Sequence, residues 1–314
     1  MADRRYTLSN LRRAVTEPSL FAREGERVLS RLVFQRTHDP GIDVMSEKWD
    51  NLLILDACRA DSLAALDLID GEFRTVVSRG SSSREFIEAN FAGRRLHDTV
   101  LVTANPFVEI LSDDVFFEVC YAELFERWDD ELKTIPPDAV VDAALRMRER
   151  HPNKRLIVHF MQPHAPYIGP TGQALYERYE FGVFNPNVLE HQGIDGAHAN
   201  VREAVRDGPI QEAELRRAYA ENVRIAADHA MELVGRLDGR SVITADHGEM
   251  LGERVLVSKQ YGHAPGVYTP ELRIVPWLVV GSDEPRHVTA GEPSGFARLD
   301  DETRETRLEA LGYL

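Results

Sequence analysis

Cysteine is nearly absent from this chain of 314 residues: only Cys58 and Cys120 occur. Two thiols are too few for a disulfide framework or a thiolate metal cluster, so both are expected to be reduced. Lysine is also scarce. Lys48, Lys133, Lys154 and Lys259 are the whole set, and arginine carries the remaining positive charge. The net charge is −15, with 52 acidic residues against 37 basic. Such a chain lacks the cationic surface that non-specific nucleic-acid binding needs. An acidic, lysine-poor composition is that of proteins from salt-loving cells, whose dense carboxylates keep the surface hydrated. No apolar run approaches the ~20 residues of a membrane span. The opening "MADRRYTLSNLRRAV" is basic but has no apolar stretch or small-residue cleavage site of a secretory signal, which predicts a cytoplasmic protein. No internal repeat or low-complexity tract is present.

What remains is ordinary globular material, 43% hydrophobic and 28% charged, long enough for one large α/β domain or two small ones. Residues 1–48 read as a helical amino-terminal arm. "LSNLRRAV" and "FAREGERVLSRLVF" place apolar residues at helical spacing with arginines between them. Packing on the main body is the expected role of this arm, with a peripheral contact to an acidic lipid surface as the minority reading. From residue 49 the pattern changes. Strand-length apolar runs occur at 51–56, 74–78, 99–105, 155–160, 241–246 and 275–280, separated by helix-like segments such as "PDAVVDAALRMRER". Runs apolar on both faces, alternating with helices, predict an α/β fold: a mainly parallel sheet with helices on both faces. Residues 181–210 are rich in Gly, Asn and Pro and read as a long loop partly covering the site, with His191 and His198 as solvated loop histidines.

In such sheets, ligands bind beyond the carboxyl ends of the strands. Asp56, Asn105, His164 and Asp246 all fall at or just past such ends. Asp56 offers a carboxylate to a divalent ion, and Arg59, three residues on, is expected to clamp a tetrahedral oxyanion. Asp61 suits a helix start instead. "SRGSSSREF" (78–86) turns from a strand into a helix, and a serine there could serve as a nucleophile, although Gly-Ser-Ser is also common turn material. His164 sits between prolines in "HFMQPHAPY". "TADHGEMLGE" supplies Asp246 and His247 as metal-ligand types, and His263 follows as a group able to donate to a substrate or leaving group. Asp228 and His229 fall inside a long helix-like stretch and are read as part of that helix.

The ordered set "ILDACRAD", "GSSSREF", "HFMQPHAPY", "TADHGEMLGE" and "YGHAPGVYTPELRIVPWLVV" resembles the sulfatase-like branch of the alkaline phosphatase superfamily over roughly residues 50 to 282. The resemblance implies an alkaline-phosphatase-like fold for residues 49–314 and enzymatic transfer or cleavage of phosphate or sulfate esters. It also implies a divalent ion (Mn, Zn or Mg, Ca less so) held by Asp56, Asp246 and His247. By comparison with phosphoglycerol and phosphoethanolamine transferases, Ser81 is the expected nucleophile and fourth ligand, with Ser82 and Ser83 as alternatives one and two places on. His164, Arg59 and His263 are then substrate-facing groups.

The chain departs from the sulfatases themselves, which carry a Cys/Ser-x-Pro-x-Arg motif. "SSSRE" has no proline, and neither Cys58 nor Cys120 heads such a motif. The expectation is therefore a metal-dependent hydrolase or phosphotransferase acting through a covalent seryl intermediate on a small, glycan-linked or lipid-linked anionic ester. A sulfate ester hydrolase, or a catalytically silent protein that binds anionic glycans, is the alternative.

Overall fold

Six consecutive buried residues, Asn51–Asp56, form β1 at the centre of the molecule. The fold is built outward from this strand in the computed structural model, which describes residues 18–66, 71–179, 204–206, 208–256, 258–281 and 286–311. The first stretch of the arm, "LSNLRRAV", and most of the 181–210 loop, including His191 and His198, lie outside the described residues.

Helix α1 (Pro18–Thr37) precedes β1. After β1 come α2 (Ala60–Ala64), β2 (Glu72–Val77), α3 (Ser83–Phe91), β3 (Leu96–Thr103), β4 (Phe116–Cys120) and α4 (Ala122–Phe125). The next elements are α5 (Pro137–Arg150), β5 (Arg155–Pro163), α6 (Pro170–Tyr179), α7 (Glu212–Arg236) and β6 (Arg240–Thr244). The chain continues through β7 (Met250–Val255), β8 (Ser258–Gly262), α8 (Pro270–Arg273), β9 (Ile274–Gly281), β10 (Gly295–Phe296) and α9 (Asp301–Ala310).

Eight strands form one sheet in the order β10-β4-β3-β5-β1-β6-β9-β2, and β7 pairs with β8 in a separate ribbon. Pairings from β10 through β6 are parallel, while β9 runs antiparallel to both β6 and β2. The sheet is thus mostly parallel and packed against helices, the α/β architecture expected from the alternating runs. Helix α5 begins with Pro137 as its first residue, where a missing N–H costs nothing. Helix α7 opens with a Gln211–Glu214 capping box and contains Asp228 and His229.

Helix α2 covers five residues of the helix-like segment that follows β1. Strand β4 and the β7–β8 ribbon were not anticipated: β4 buries only its ends fully, and β7 mixes buried and exposed positions without alternation.

Register places the chemistry. Ile54 of β1 lies opposite His159 of β5 on one side and Thr244 of β6 on the other. Side chains alternate faces along a strand, so Asp56 and Asp246, each two residues further on, share the face of Ile54, His159 and Thr244. Two carboxylates therefore emerge side by side where the strands end.

Candidate metal and nucleophile site

Asp56, Asp246 and His247 are all fully buried, and a carboxylate oxygen from each aspartate and a ring nitrogen of His247 lie within 4.8 Å of one another. Local structure beyond β1 keeps them there. The β1–β5 register slips between Leu55 and Asp56, and Ala57 takes φ +60°, a left-handed conformation uncommon for a residue with a Cβ. Ala57 N–H then donates to Asp246 Oδ1 at 3.1 Å. Tyr219 of α7 braces the turn, its hydroxyl donating to Ala57 O at 2.8 Å and accepting from Arg59 N–H at 2.9 Å. On the other strand, Gly248 follows His247 beneath the Glu271 carbonyl, which would stand 2.0 Å from any Cβ there. Only glycine passes.

Each ligand atom is set by what its partner atoms do. Asp56 Oδ2 accepts from Asn105 Nδ2 at 2.6 Å and from Ser83 Oγ at 3.3 Å, which leaves Oδ1 with no hydrogen bond. Asp246 Oδ1 accepts from the backbone N–H groups of Ala57 and His247, which leaves Oδ2 likewise without one. His247 Nδ1 lies 2.8 Å from Gly248 O. Donation to that carbonyl fixes the tautomer and turns a bare Nε2 towards the two oxygens, 3.6 Å from Asp56 Oδ1 and 3.5 Å from Asp246 Oδ2. Buried polar atoms without partners are costly, so two such oxygens facing a nitrogen lone pair are a donor set that fits a divalent cation.

The electrostatics agree with that reading. Burial, and then the charge of Asp246, push the Asp56 carboxyl well above the usual carboxylate range. Burial also raises Asp246, but His247, His159 and Ser83 outweigh it and hold Asp246 below that range. An ion between the two oxygens would remove the repulsion that raises Asp56.

The serine run resolves into three different roles. Ser83, the first residue of α3, points its hydroxyl into the cluster, 3.3 Å from Asp56 Oδ2 and 3.2 Å from His247 Nε2. Ser81, the expected nucleophile and ligand, points elsewhere. Its N–H and hydroxyl both donate to Glu85 Oε2, at 3.0 and 2.9 Å, and its oxygen accepts from Gly266 N–H at 2.9 Å. Ser82 occupies the N-cap position of α3, but its buried hydroxyl makes no cap hydrogen bond. The turn itself requires Gly80, where a Cβ would lie 2.4 Å from Phe86 N. The expectation that Ser81 faces the metal ligands is thus corrected to Ser83. A helix that starts at Ser83 sends its first side chain towards the strand ends, while Glu85 claims Ser81.

Arg59 is corrected as well. Its guanidinium is not open to a substrate: Nε and Nη2 donate to Asp61 at 2.9 and 2.6 Å, and Nη1 donates to Glu253 Oε1 at 2.8 Å and Glu249 O at 3.1 Å. Asp61, in the first turn of α2, is what holds it.

His263 and His164 do adjoin the cluster. The His263 ring lies 4.3 Å from that of His247 and 4.9 Å from that of His164. His263 Nδ1 donates to Glu249 Oε2 at 2.8 Å, and this pair is buried. His164 Nδ1 donates to Ala165 O.

Two residues of the site were missed. His159 Nε2 lies 3.5 Å from Asp246 Oδ2, and its one sequence signal is a histidine within an apolar strand. Glu249 stood inside the motif that supplied Asp246 and His247. The acid two places after that histidine was the available clue.

No family model matches the chain, and no curated protein matches it. Solved structures do. The soluble domain of lipooligosaccharide phosphoethanolamine transferase A from Neisseria meningitidis is 14% identical, with a TM-score of 0.45 over 73% of this chain and 75% of that one. The C-terminal periplasmic domain of EcEptC from Escherichia coli, in complex with Zn, is 14% identical, with a TM-score of 0.45 over 77% and 76%. Phosphonate monoester hydrolase of Agrobacterium radiobacter is 12% identical, with a TM-score of 0.42 over 73% and 67%. Likenesses this distant say nothing of activity, and the donor set above is a property of this chain's own residues.

Proposed function

We propose that the protein is a metal-dependent hydrolase or transferase of phosphate esters in which Ser83 is the nucleophile. The observation that carries this reading is the Ser83 hydroxyl within 3.3 Å of both Asp56 and His247, beside two carboxylate oxygens that have no hydrogen-bond partner. Asp56 Oδ1, Asp246 Oδ2 and His247 Nε2 would hold the ion, which when bound supplies positive charge to the attacking and developing oxygens.

The chain's own groups do the rest. Ser83 Oγ bonds to phosphorus and gives up its proton, for which Asp56 Oδ2 is the acceptor at hand. The bond from phosphorus to the leaving oxygen breaks, and His263, oriented through Nδ1 by Glu249, protonates that oxygen from Nε2. His164, stacked edge-on against His263, borders the space for the anionic group. The phosphoseryl group then passes to water or to an acceptor alcohol, and this choice separates hydrolase from transferase. The absent Cys/Ser-x-Pro-x-Arg motif favours phosphorus over sulfur esters.

A panel of aryl phosphate monoesters, phosphodiesters and sulfates, assayed with Mn²⁺ or Zn²⁺, tests the reading. Phosphorus esters should turn over first, and trapped protein should carry phosphate on Ser83. Faster hydrolysis of sulfates would overturn the choice of ester. Anion binding without turnover of any ester would favour the silent binding protein.

A further inference from the structure

Helix α1 has two unlike faces. Ser30 and Phe34 are buried, and they face the loop that leads from His263 to α8. Ser30 Oγ accepts from Tyr268 N–H at 3.3 Å, and Phe34 meets the Tyr268 ring edge-on with centroids 6.1 Å apart. Arg27 packs against Gly266, whose N–H donates to Ser81 in the serine turn. The helix is thus joined to the candidate site through a single loop.

The opposite face is apolar and exposed. Val28, Leu29, Leu32 and Val33 are 41, 46, 49 and 53% exposed, at helical positions that form one continuous stripe. Arg31 and Arg36, both exposed, border it. The helix's own acids are engaged elsewhere: Glu24 accepts from Arg27, and Glu26 accepts from the N–H and hydroxyl of Ser258. That last contact brings the β7–β8 turn alongside α1, and Leu256 in this turn is another exposed large apolar side chain, at 52%. A chain of net charge −15 therefore places an arginine-bordered apolar stripe on a helix next to its candidate site.

We propose that this face of α1 docks on an anionic lipid surface, with the stripe and Leu256 in the acyl boundary and Arg31 and Arg36 at the headgroups. The exposed apolar side chains come from two adjacent elements, and an apolar helix face bordered by arginines is the pattern of a helix lying at an anionic lipid interface. Self-pairing through the stripe would gather the bordering arginines of two copies into one interface, whereas anionic headgroups complement them. The acidic remainder of the chain is repelled by the same surface, so the charge distribution fixes the orientation as well. Docking so would bring the loop at Gly266, and with it the serine turn, close to the bilayer. This inference is independent of which ester the site cleaves.

Co-sedimentation of the full chain with phosphatidylcholine vesicles, with and without phosphatidylglycerol, tests it. The expected result is binding that needs phosphatidylglycerol. Leu29→Gln/Leu32→Gln and Arg31→Glu/Arg36→Glu should each weaken it by at least about tenfold. Glutamine keeps helix propensity and these positions are exposed, so an unchanged melting temperature would show that the variants fold. Failure to sediment with either vesicle, equal binding to both, or retained binding by the leucine variant would overturn the proposal. So would a dimer in solution that the leucine variant abolishes, because the stripe would then belong to a second copy.

Discussion

Two charged clusters lie a few residues apart at the end of β1, and they differ in what they leave undone. Around Arg59 every strong group has a partner: Asp61 takes two of its donors and Glu253 a third. Around Asp56 two buried carboxylate oxygens have none, and a histidine nitrogen points at them. The first cluster is closed: with Arg216 also on Glu253, two arginines balance two carboxylates within the protein. The second is negative, buried and incomplete, so it needs something from outside. Buried charge alone does not mark a chemical site; unbalanced buried charge with convergent donors does.

The contrast is sharpest within the serine turn, where Ser83 belongs to the open cluster and Ser81 to a closed network. Ser83→Ala should lower kcat/KM by roughly 10³-fold or more, as loss of a nucleophile does. Ser81→Ala should leave the rate within about tenfold and cost about 1 kcal/mol of stability. Steady-state rates on whichever phosphoester turns over fastest decide it. Equal losses in the two variants would erase the distinction.

Asp56→Asn should separate the clusters by the sign of its effect. Metal affinity, read by titration calorimetry, should fall at least about 100-fold. In chelator the same variant should melt at a higher temperature, by an amount equivalent to about 1 kcal/mol, because a buried charge that Asp246 opposes has been removed. Arg59→Met should do the reverse, costing about 1–3 kcal/mol in denaturant unfolding with metal stoichiometry unchanged. If both substitutions destabilise the metal-free protein alike, the two clusters are not different in kind.

The smallest effect is on acid stability. Asp61 titrates below its ordinary value because of the hydrogen bond and charge of Arg59. Glu253 does so although burial opposes it, through the Leu251 N–H and Arg59. Groups depressed on folding contribute stability that is full above their unfolded values and is lost as pH falls through the folded ones. The Arg59 cluster should therefore weaken below about pH 4.5, and Arg59→Met should flatten that limb of the stability curve. A limb as steep as the parent's would assign the acid loss to other carboxylates.

Much of this arrangement was legible because it is local. Asp56, Asp246 and His247 end strands whose apolar runs are unbroken, and α5 begins and stops where its prolines and last arginine imply. What was not legible depends on residues distant in sequence. Arg59 reads as free until Glu253 arrives from 194 positions away. Ser81 and Ser83 are chemically identical, and only the first turn of α3, with Glu85 reaching back, tells them apart. His159 is hidden by its neighbours: a histidine among valine and phenylalanine reads as core until register sets it opposite Ile54, beside both aspartates.

The sheet order also sets a timetable. The earliest of the described strands, β1, ends up central, between β5 and β6, so both its edges stay open until residues 155–163 and 240–244 have followed. Parallel pairing across such separations is slow, because loop closure comes before any contact that rewards it. During synthesis the nascent chain therefore carries an unpaired strand with an apolar run from Leu52 to Leu55, the kind of segment that chaperones shield and that aggregates when they are scarce. The same order brings the candidate metal ligands together late: Asp56 emerges early, but Asp246 and His247 follow β6, so the cluster that could hold an ion cannot close before that strand has been made.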